Sequence, residues 1–183
     1  QDVDHHQRDG DSRAGTMRRD TAAHGSPPEM VSVSEDATGK RFAIIVANWH
    51  TDMTYEMVHG ARESLLERGA KDEDIVVYPV PGSFEVSLAV LRACESDEFD
   101  AVIAIGCIIR GDTPHFDFVA SEVSRGITLA SLETGIPVGF GILTTENEAQ
   151  ALERADRGRG NKGAEAAIAA LSMANLLPVI DQG

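Results

Sequence analysis

The sequence predicts an α/β fold, a three-layer α/β/α sandwich with a four-stranded parallel sheet and helices on both faces. Three observations lead there. Four short apolar runs, Arg41–Ala47, Asp74–Val80, Ala101–Gly106 and Pro137–Leu143, read as strands; continuous apolar runs are what strands buried on both faces require. Stretches with apolar residues three or four apart lie between them, the period of a helix that buries one face. The two patterns alternate along the chain, and right-handed βαβ crossovers then give a parallel sheet covered on both sides.

The elements follow in order. Arg41–Ala47 is the first strand. Met53, Met57, Ala61 and Leu65 recur every four residues, predicting a helix capped by Thr51 or Asp52 and stopped by Gly69. Asp74–Val80 is the second strand, Ser83–Glu95 the second helix and Ala101–Gly106 the third strand. A long helix follows, with Thr113 as its cap and Pro114 as its first residue. It carries Phe116, Val119, Val123, Ile127 and Ala130 on one face and ends at Gly135. Pro137–Leu143 is the fourth strand. Thr145-Glu146-Asn147-Glu148 reads as a capping box opening the next helix, which Gly158, Gly160 and Gly163 interrupt. An Ala-rich helix, Ala164–Leu176, closes the domain, and Pro178 is expected to prevent its continuation. The order is that of a flavodoxin-like doubly wound sheet, in which ligands bind beyond the carboxyl ends of the strands where the strand order reverses.

The 183 residues suit one domain. Their organisation changes near residue 40. Residues 1–39 read as an N-terminal extension and 40–183 as the domain. Residues 1–30 lack periodicity and carry a Gly-Ser-Pro-Pro stop, which predicts a mobile segment; His5, His6 and His24 in it read as solvated rather than as metal ligands. Residues 30–34 alternate and offer one edge strand, to this sheet or to a neighbouring subunit. The N-terminus carries acids and no apolar signal core, and no apolar run nears the ~20 residues that span a bilayer. Cys94 and Cys107 are too few for a disulfide framework or a Cys-based zinc site. The expectation is a reduced cytoplasmic protein that engages no membrane. With 30 acids against 16 bases the formal charge is −14, which opposes binding to a nucleic-acid backbone. Thirteen of the bases are Arg; a salt-rich habitat and a GC-rich genome both produce such a bias.

Candidate chemistry lies at the predicted strand ends. The loop Gly106-Cys107-Ile108-Ile109-Arg110-Gly111-Asp112-Thr113-Pro114-His115 precedes a helix start, where free N–H groups and the helix dipole favour an anion. His115 beside that point has the side chain best suited to exchange protons near neutral pH. Two readings stand: a phosphate cradle with a proton carrier, or a capped helix start with a surface His. Arg154, on the helix after strand four, either clamps phosphate through paired bonds or faces solvent, and Lys162 in Gly160-Asn161-Lys162-Gly163 poses the same choice. Arg110, His115, Arg154 and Lys162 are together expected to make a locally basic site on an acidic protein. Glu85 complements a helix dipole or binds the hydroxyls of a polyol. Trp49, the single Trp, stacks on a planar ligand or packs in the core; Phe140 inside strand four reads as core.

Other function classes lack their signatures. No GxGxxG follows a strand, and GxxxxGK[ST], GxSxG and HExxH are absent. No His–Asp pair is placed to activate Ser83.

Residues 40–177 resemble the lumazine synthase (6,7-dimethyl-8-ribityllumazine synthase) family. The matching segments, in order, are VANWH at 46–50, VPGSFE at 80–85, GCIIRGDTPHFDFV at 106–119, IPVGFGILTTENEAQALERA at 136–155 and NKGAEAA at 161–167. The resemblance implies condensation of 5-amino-6-(D-ribitylamino)uracil with 3,4-dihydroxy-2-butanone 4-phosphate to the lumazine, phosphate and water, the penultimate step of riboflavin biosynthesis, with no metal or organic cofactor. It implies that Trp49 stacks on the pyrimidine, that Ser83, Phe84 and Glu85 hold the ribityl chain and ring, and that Cys107, Ile108 and Ile109 read the pyrimidine edge. Asp112, Thr113 and Arg154 then match the phosphate site and His115 the proton donor. Phe140 matches an aromatic supplied across a subunit interface, and Lys162 and Glu165 a nearby ion pair. Trp stands where many members carry Phe, and the N-terminal extension has no counterpart in the family pattern. Arg154 and Lys162 are eight residues apart with no insertion between them, the spacing of shell-forming members, which implies pentamers assembling to about 60 subunits, favoured by salt because each copy is acidic. The same resemblance implies riboflavin synthase as a partner. A catalytically silent shell or flavin-binding protein is the alternative function.

Overall fold

The computed structural model describes residues 28–183. The mobile-segment reading of residues 1–27, with His5, His6 and His24, lies outside them. The chain divides into Gln1–Ser32 and Val33–Gly183. In the first unit, the described residues 28–32 form neither helix nor strand.

In the second unit four strands alternate with five α-helices: β1 (Phe42–Ala47), α1 (Thr51–Glu67), β2 (Ile75–Val80), α2 (Ser83–Cys94), β3 (Ala101–Ile109), α3 (His115–Thr134), β4 (Val138–Thr145), α4 (Glu148–Ala155) and α5 (Lys162–Asp181). The sheet is wholly parallel in the order β2-β1-β3-β4. The order reverses between β1 and β3, as a doubly wound sheet requires.

Successive side chains of a strand point to opposite faces, and the two cores divide accordingly. Phe42, Ile44, Val46, Ile103 and Ile105 pack with Met53, Met57, Ala61 and Leu65 of α1 and the small residues of α4 and α5. Ala43, Ile45, Ala47, Val102 and Ala104 pack with Val86 and Val90 of α2 and with Val123, Ile127 and Ala130 of α3; Phe116 and Val119 join at the edge of that cluster. Each fully buried Met, Leu or Ile contributes about 1.5–3 kcal/mol. Where α5 crosses α1 no side chain fits: a Cβ on Gly163 would meet the Met57 carbonyl oxygen at 2.1 Å.

Residues 33–39 group with the domain rather than with the extension. Ala37 is fully buried, its N–H donates to the Arg68 carbonyl, and Asn175 donates to the carbonyls of Ser34 and Asp36. Residues 30–34 form no strand within this chain.

Several boundaries differ from the sequence expectation, each for a local reason. Neither Thr51 nor Asp52 caps α1; His50 does, with a left-handed backbone (φ 57°), and its carbonyl accepts from the Met53 and Thr54 N–H groups. β3 runs three residues beyond Gly106 because pairing with β4 continues to Ile109↔Thr145. α3 starts at His115, so Pro114 is the cap residue and Thr113 lies outside it, its Oγ1 accepting from the His115 N–H at 3.4 Å. α4 is capped by Asn147, whose Oδ1 accepts from the Gln150 N–H, while Gln150 Oε1 accepts from the Glu146 N–H. This is a variant of the capping box: the cap is Asn147, two residues beyond Thr145, and the Gln150 side chain reaches the N–H of Glu146, the residue before the cap, while Thr145 stays in β4. Pro178 does not end α5 but lies inside it, one turn from the end at Asp181. Its fixed φ is helical, and there it removes a single ladder bond.

By length and composition α5 reaches what a membrane crossing needs. Here its Gly163, Ala166, Ala167, Ala170, Leu171 and Ala174 are buried against the rest of the domain, and a core helix meets the same criteria.

Candidate active site

A cavity of about 380 Å³ opens where the strand order reverses, beyond the carboxyl ends of β1, β2 and β3. Trp49 and His50 after β1, Pro81–Glu85 after β2, Cys107–Ile109 at the end of β3, and His115 and Val119 of α3 line it. Trp49 is 69% exposed and Phe84 59%, so the core-packing reading of Trp49 fails and two ring faces stand at the cavity mouth. Ser83 at the start of α2 is buried, and its Oγ finds no hydrogen-bond partner among the described residues. A buried hydroxyl without a partner is costly, and at this cavity wall a polar ligand atom would satisfy it. Gly82 caps α2 without a side-chain bond, leaving N–H groups of the first turn available to a ligand.

Cys107 is buried with its Sγ 3.7 Å from Met53 Sδ. Burial first, and then the Asp52 charge, push its thiol up to about 11; burial also raises Cys94. Both are therefore thiols rather than nucleophilic thiolates at neutral pH. Folding favours the protonated Cys107, so its contribution to stability is complete below the ordinary thiol value of 9.0 and is lost as pH rises toward about 11. A maleimide reagent at pH 7 should leave both cysteines unlabelled in the native protein and modify both after denaturation; rapid native labelling of Cys107 would contradict the buried placement.

A second, smaller cavity of about 210 Å³ lies at the other side of the sheet, lined by Phe140–Thr144 of the edge strand β4, Arg154 of α4 and Lys162 of α5. Phe140 is half exposed rather than core: it shares a face with Val138 and Ile142, but at the sheet edge its ring stays open. Arg154 Nη1 donates to the Gln150 carbonyl at 2.9 Å, and Lys162 Nζ pairs with Glu165 Oε2 at 2.7 Å. Asn161 fixes the approach to Lys162. Its Nδ2 donates to the carbonyls of Glu56 and Ala155 and its Oδ1 accepts from Ala164 N–H, pinning α4, α1 and α5 together.

The sequence-derived residues thus fall into two groups. Trp49, Ser83, Phe84, Glu85, Cys107, Ile108, Ile109 and His115 line the first cavity; Phe140, Arg154 and Lys162 line the second. Asp112 and Thr113 line neither, forming an exposed turn before α3. Arg110 does not join a basic cluster with Arg154 and Lys162. Its Nη1 and Nη2 fork onto Asp117 and its Nε onto Glu146, and those two carboxylates raise its pKa further. Sequence reasoning missed His50 and Val119 as lining residues; adjacency to Trp49 and one helical turn from His115 were the available signals. Among the described residues no three or more His, Cys, Asp or Glu side chains are grouped to hold a metal ion.

The fold and its cavities define a doubly wound α/β protein with one cavity at the strand-order reversal and a second, lined by Arg154 and Lys162, at its sheet edge. Residues 39–178 match the family model of 6,7-dimethyl-8-ribityllumazine synthase. The chain is also 48% identical over 153 residues to a 6,7-dimethyl-8-ribityllumazine synthase of Desulfotalea psychrophila (strain LSv54 / DSM 12343), covering 84% of this chain and 99% of the relative. This chain belongs to the 6,7-dimethyl-8-ribityllumazine synthase family.

Proposed function

We propose that the protein is a transferase that condenses 5-amino-6-(D-ribitylamino)uracil with 3,4-dihydroxy-2-butanone 4-phosphate to 6,7-dimethyl-8-ribityllumazine, releasing phosphate and water. The observation that carries this reading is the coincidence of family membership with a cavity at the strand-order reversal, lined by the matching residues. The pyrimidine stacks on Trp49, with its edge against the Cys107–Ile109 backbone. Ser83 and Glu85 bind the hydroxyls of the ribityl chain, and Phe84 covers them. Imine formation, phosphate elimination and ring closure each move protons, and His115 at the cavity carries them. A positioned general acid–base gives about 10²–10⁴-fold, and holding two substrates together supplies much of the remainder.

The phosphate binds Arg154 and Lys162. These line a different cavity from His115 within one chain, so the complete site takes its pyrimidine half from one protomer and its phosphate half, with Phe140, from a neighbour. Asp112 and Thr113, exposed at the end of the first half-site, meet the phosphate there. Exposed Leu88, Phe118 and Leu132 suit burial between copies. The assembly is a pentamer, and pentamers build a shell of about 60 subunits. Native mass spectrometry decides this: a species near five subunits at every concentration and salt level would exclude the shell.

Purified protein mixed with both substrates tests the activity, followed by lumazine fluorescence. Product formation is expected; tight pyrimidine binding without product would overturn the reading. Arg154→Ala should raise KM for the phosphorylated substrate about 10–100-fold, as loss of a charge-assisted bidentate contact does, with a smaller change in kcat.

A further inference from the structure

Arg110 leaves β3 between the two cavities, and its backbone N–H donates to the Thr145 carbonyl at the end of β4 at 2.9 Å. Its Nη1 and Nη2 donate to the two oxygens of Asp117 at 3.2 and 3.1 Å, and its Nε to Glu146 at 3.2 Å. The guanidinium lies 4.2 Å over the Phe116 ring. One side chain therefore holds the first turn of α3 and the segment entering α4.

Each held segment leads to one half-site. Phe116 and Asp117 directly follow His115 on α3. Glu146 donates its N–H to Gln150 Oε1, and the Gln150 carbonyl in turn accepts from Arg154. A lone exposed ion pair contributes almost nothing, but a bidentate fork within a network fixes geometry.

We infer that Arg110 is a positioning residue for the reaction, a planar tie between the half-site of His115 and the half-site of Arg154 that each protomer carries. The inference rests on the proposed function for the roles of those two residues. Only a guanidinium serves. Lys keeps the charge but is a single point donor and cannot grip Asp117 with two parallel bonds while reaching Glu146.

The test compares the assembled wild type with Arg110→Lys, Arg110→Met, Glu146→Gln and, as a control on an exposed pair elsewhere, Arg92→Met (Arg92 pairs with Glu95). Steady-state kinetics and calorimetric binding of inorganic phosphate are read for each, with Tm confirming the fold. A displacement near 1 Å costs on the order of 10²-fold, so both Arg110 variants should lose about 10–100-fold in kcat/KM. The loss should divide between kcat and KM for the phosphorylated substrate, because both half-sites move. Glu146→Gln removes a negative charge, and electrostatics alone makes phosphate bind more tightly. The tie predicts weaker phosphate binding and lower kcat, with Arg92→Met unchanged. Wild-type behaviour of Arg110→Lys, or tighter phosphate binding with unchanged kcat in Glu146→Gln, would overturn the inference. If the wild type shows no turnover, the functional reading fails by itself. The phosphate affinities of Arg110→Lys and Glu146→Gln then decide alone: unchanged or tighter binding overturns the tie, and weaker binding in both sustains it.

Discussion

Gly163→Ala is expected to destabilise the protein strongly, because it adds a methyl at the one glycine of α5. The new Cβ would stand 2.1 Å from the Met57 carbonyl oxygen and 2.6 Å from its carbon. Both contacts are backbone, so no rotamer change relieves them; α5 must move off α1. Overpacking of this kind costs about 1–3 kcal/mol, and a rigid backbone contact belongs at the upper end. For a domain of this size about 3 kcal/mol lowers Tm by roughly 10 °C. Because α5 carries Lys162 and Asn161 caps it, the phosphate half-site should loosen with it. Gly111→Ala is the control, since a Cβ there meets nothing within 4 Å; its Tm should stay within a few degrees. Equal melting temperatures for the two variants would refute the tight α1–α5 crossing.

His115→Ala is expected to have the largest effect on the chemical step. The side chain is exposed at the start of α3, so its removal leaves the core intact and Tm nearly unchanged. Loss of the proton carrier should lower kcat by about 10²–10⁴-fold, with far smaller changes in KM for either substrate. A rise in KM with kcat preserved would make His115 a binding residue and assign the proton transfers elsewhere.

Much of this was legible because the fold obeys simple periodicities. Continuous apolar runs located all four strands, and the four-residue spacing of Met53, Met57, Ala61 and Leu65 located α1. The first cavity follows from the rule that doubly wound sheets bind ligands where the strand order reverses, which points to Trp49, Glu85 and His115. What escaped the sequence is tertiary. The carbonyl of His50 caps α1 because the chain turns left-handed there, and no local pattern marks that. β3 extends to Ile109 because β4 continues to pair with it, and Pro178 is tolerated because it falls in a last turn. Arg110 looked like an anion ligand because charge alone is visible in a sequence; the two carboxylates that hold it come from residues seven and 36 positions away. The separation of Arg154 from His115 was also hidden, since nothing in linear order says that the two line different cavities.

That separation supplies the most direct test of the account. If each site joins the His115 half of one protomer to the Arg154 half of another, two variants that are each slow at low substrate should rescue each other. His115→Ala and Arg154→Ala, each purified, are unfolded together in denaturant and reassembled at equal ratio. Random mixing across a head-to-tail interface leaves about a quarter of the sites with both native residues. With the phosphorylated substrate held well below the wild-type KM, where Arg154→Ala and His115→Ala are both slow, the mixture should therefore regain about a quarter of wild-type lumazine formation. Activity no greater than the mean of the two separate variants, in oligomers shown to contain both chains, would contradict a shared site.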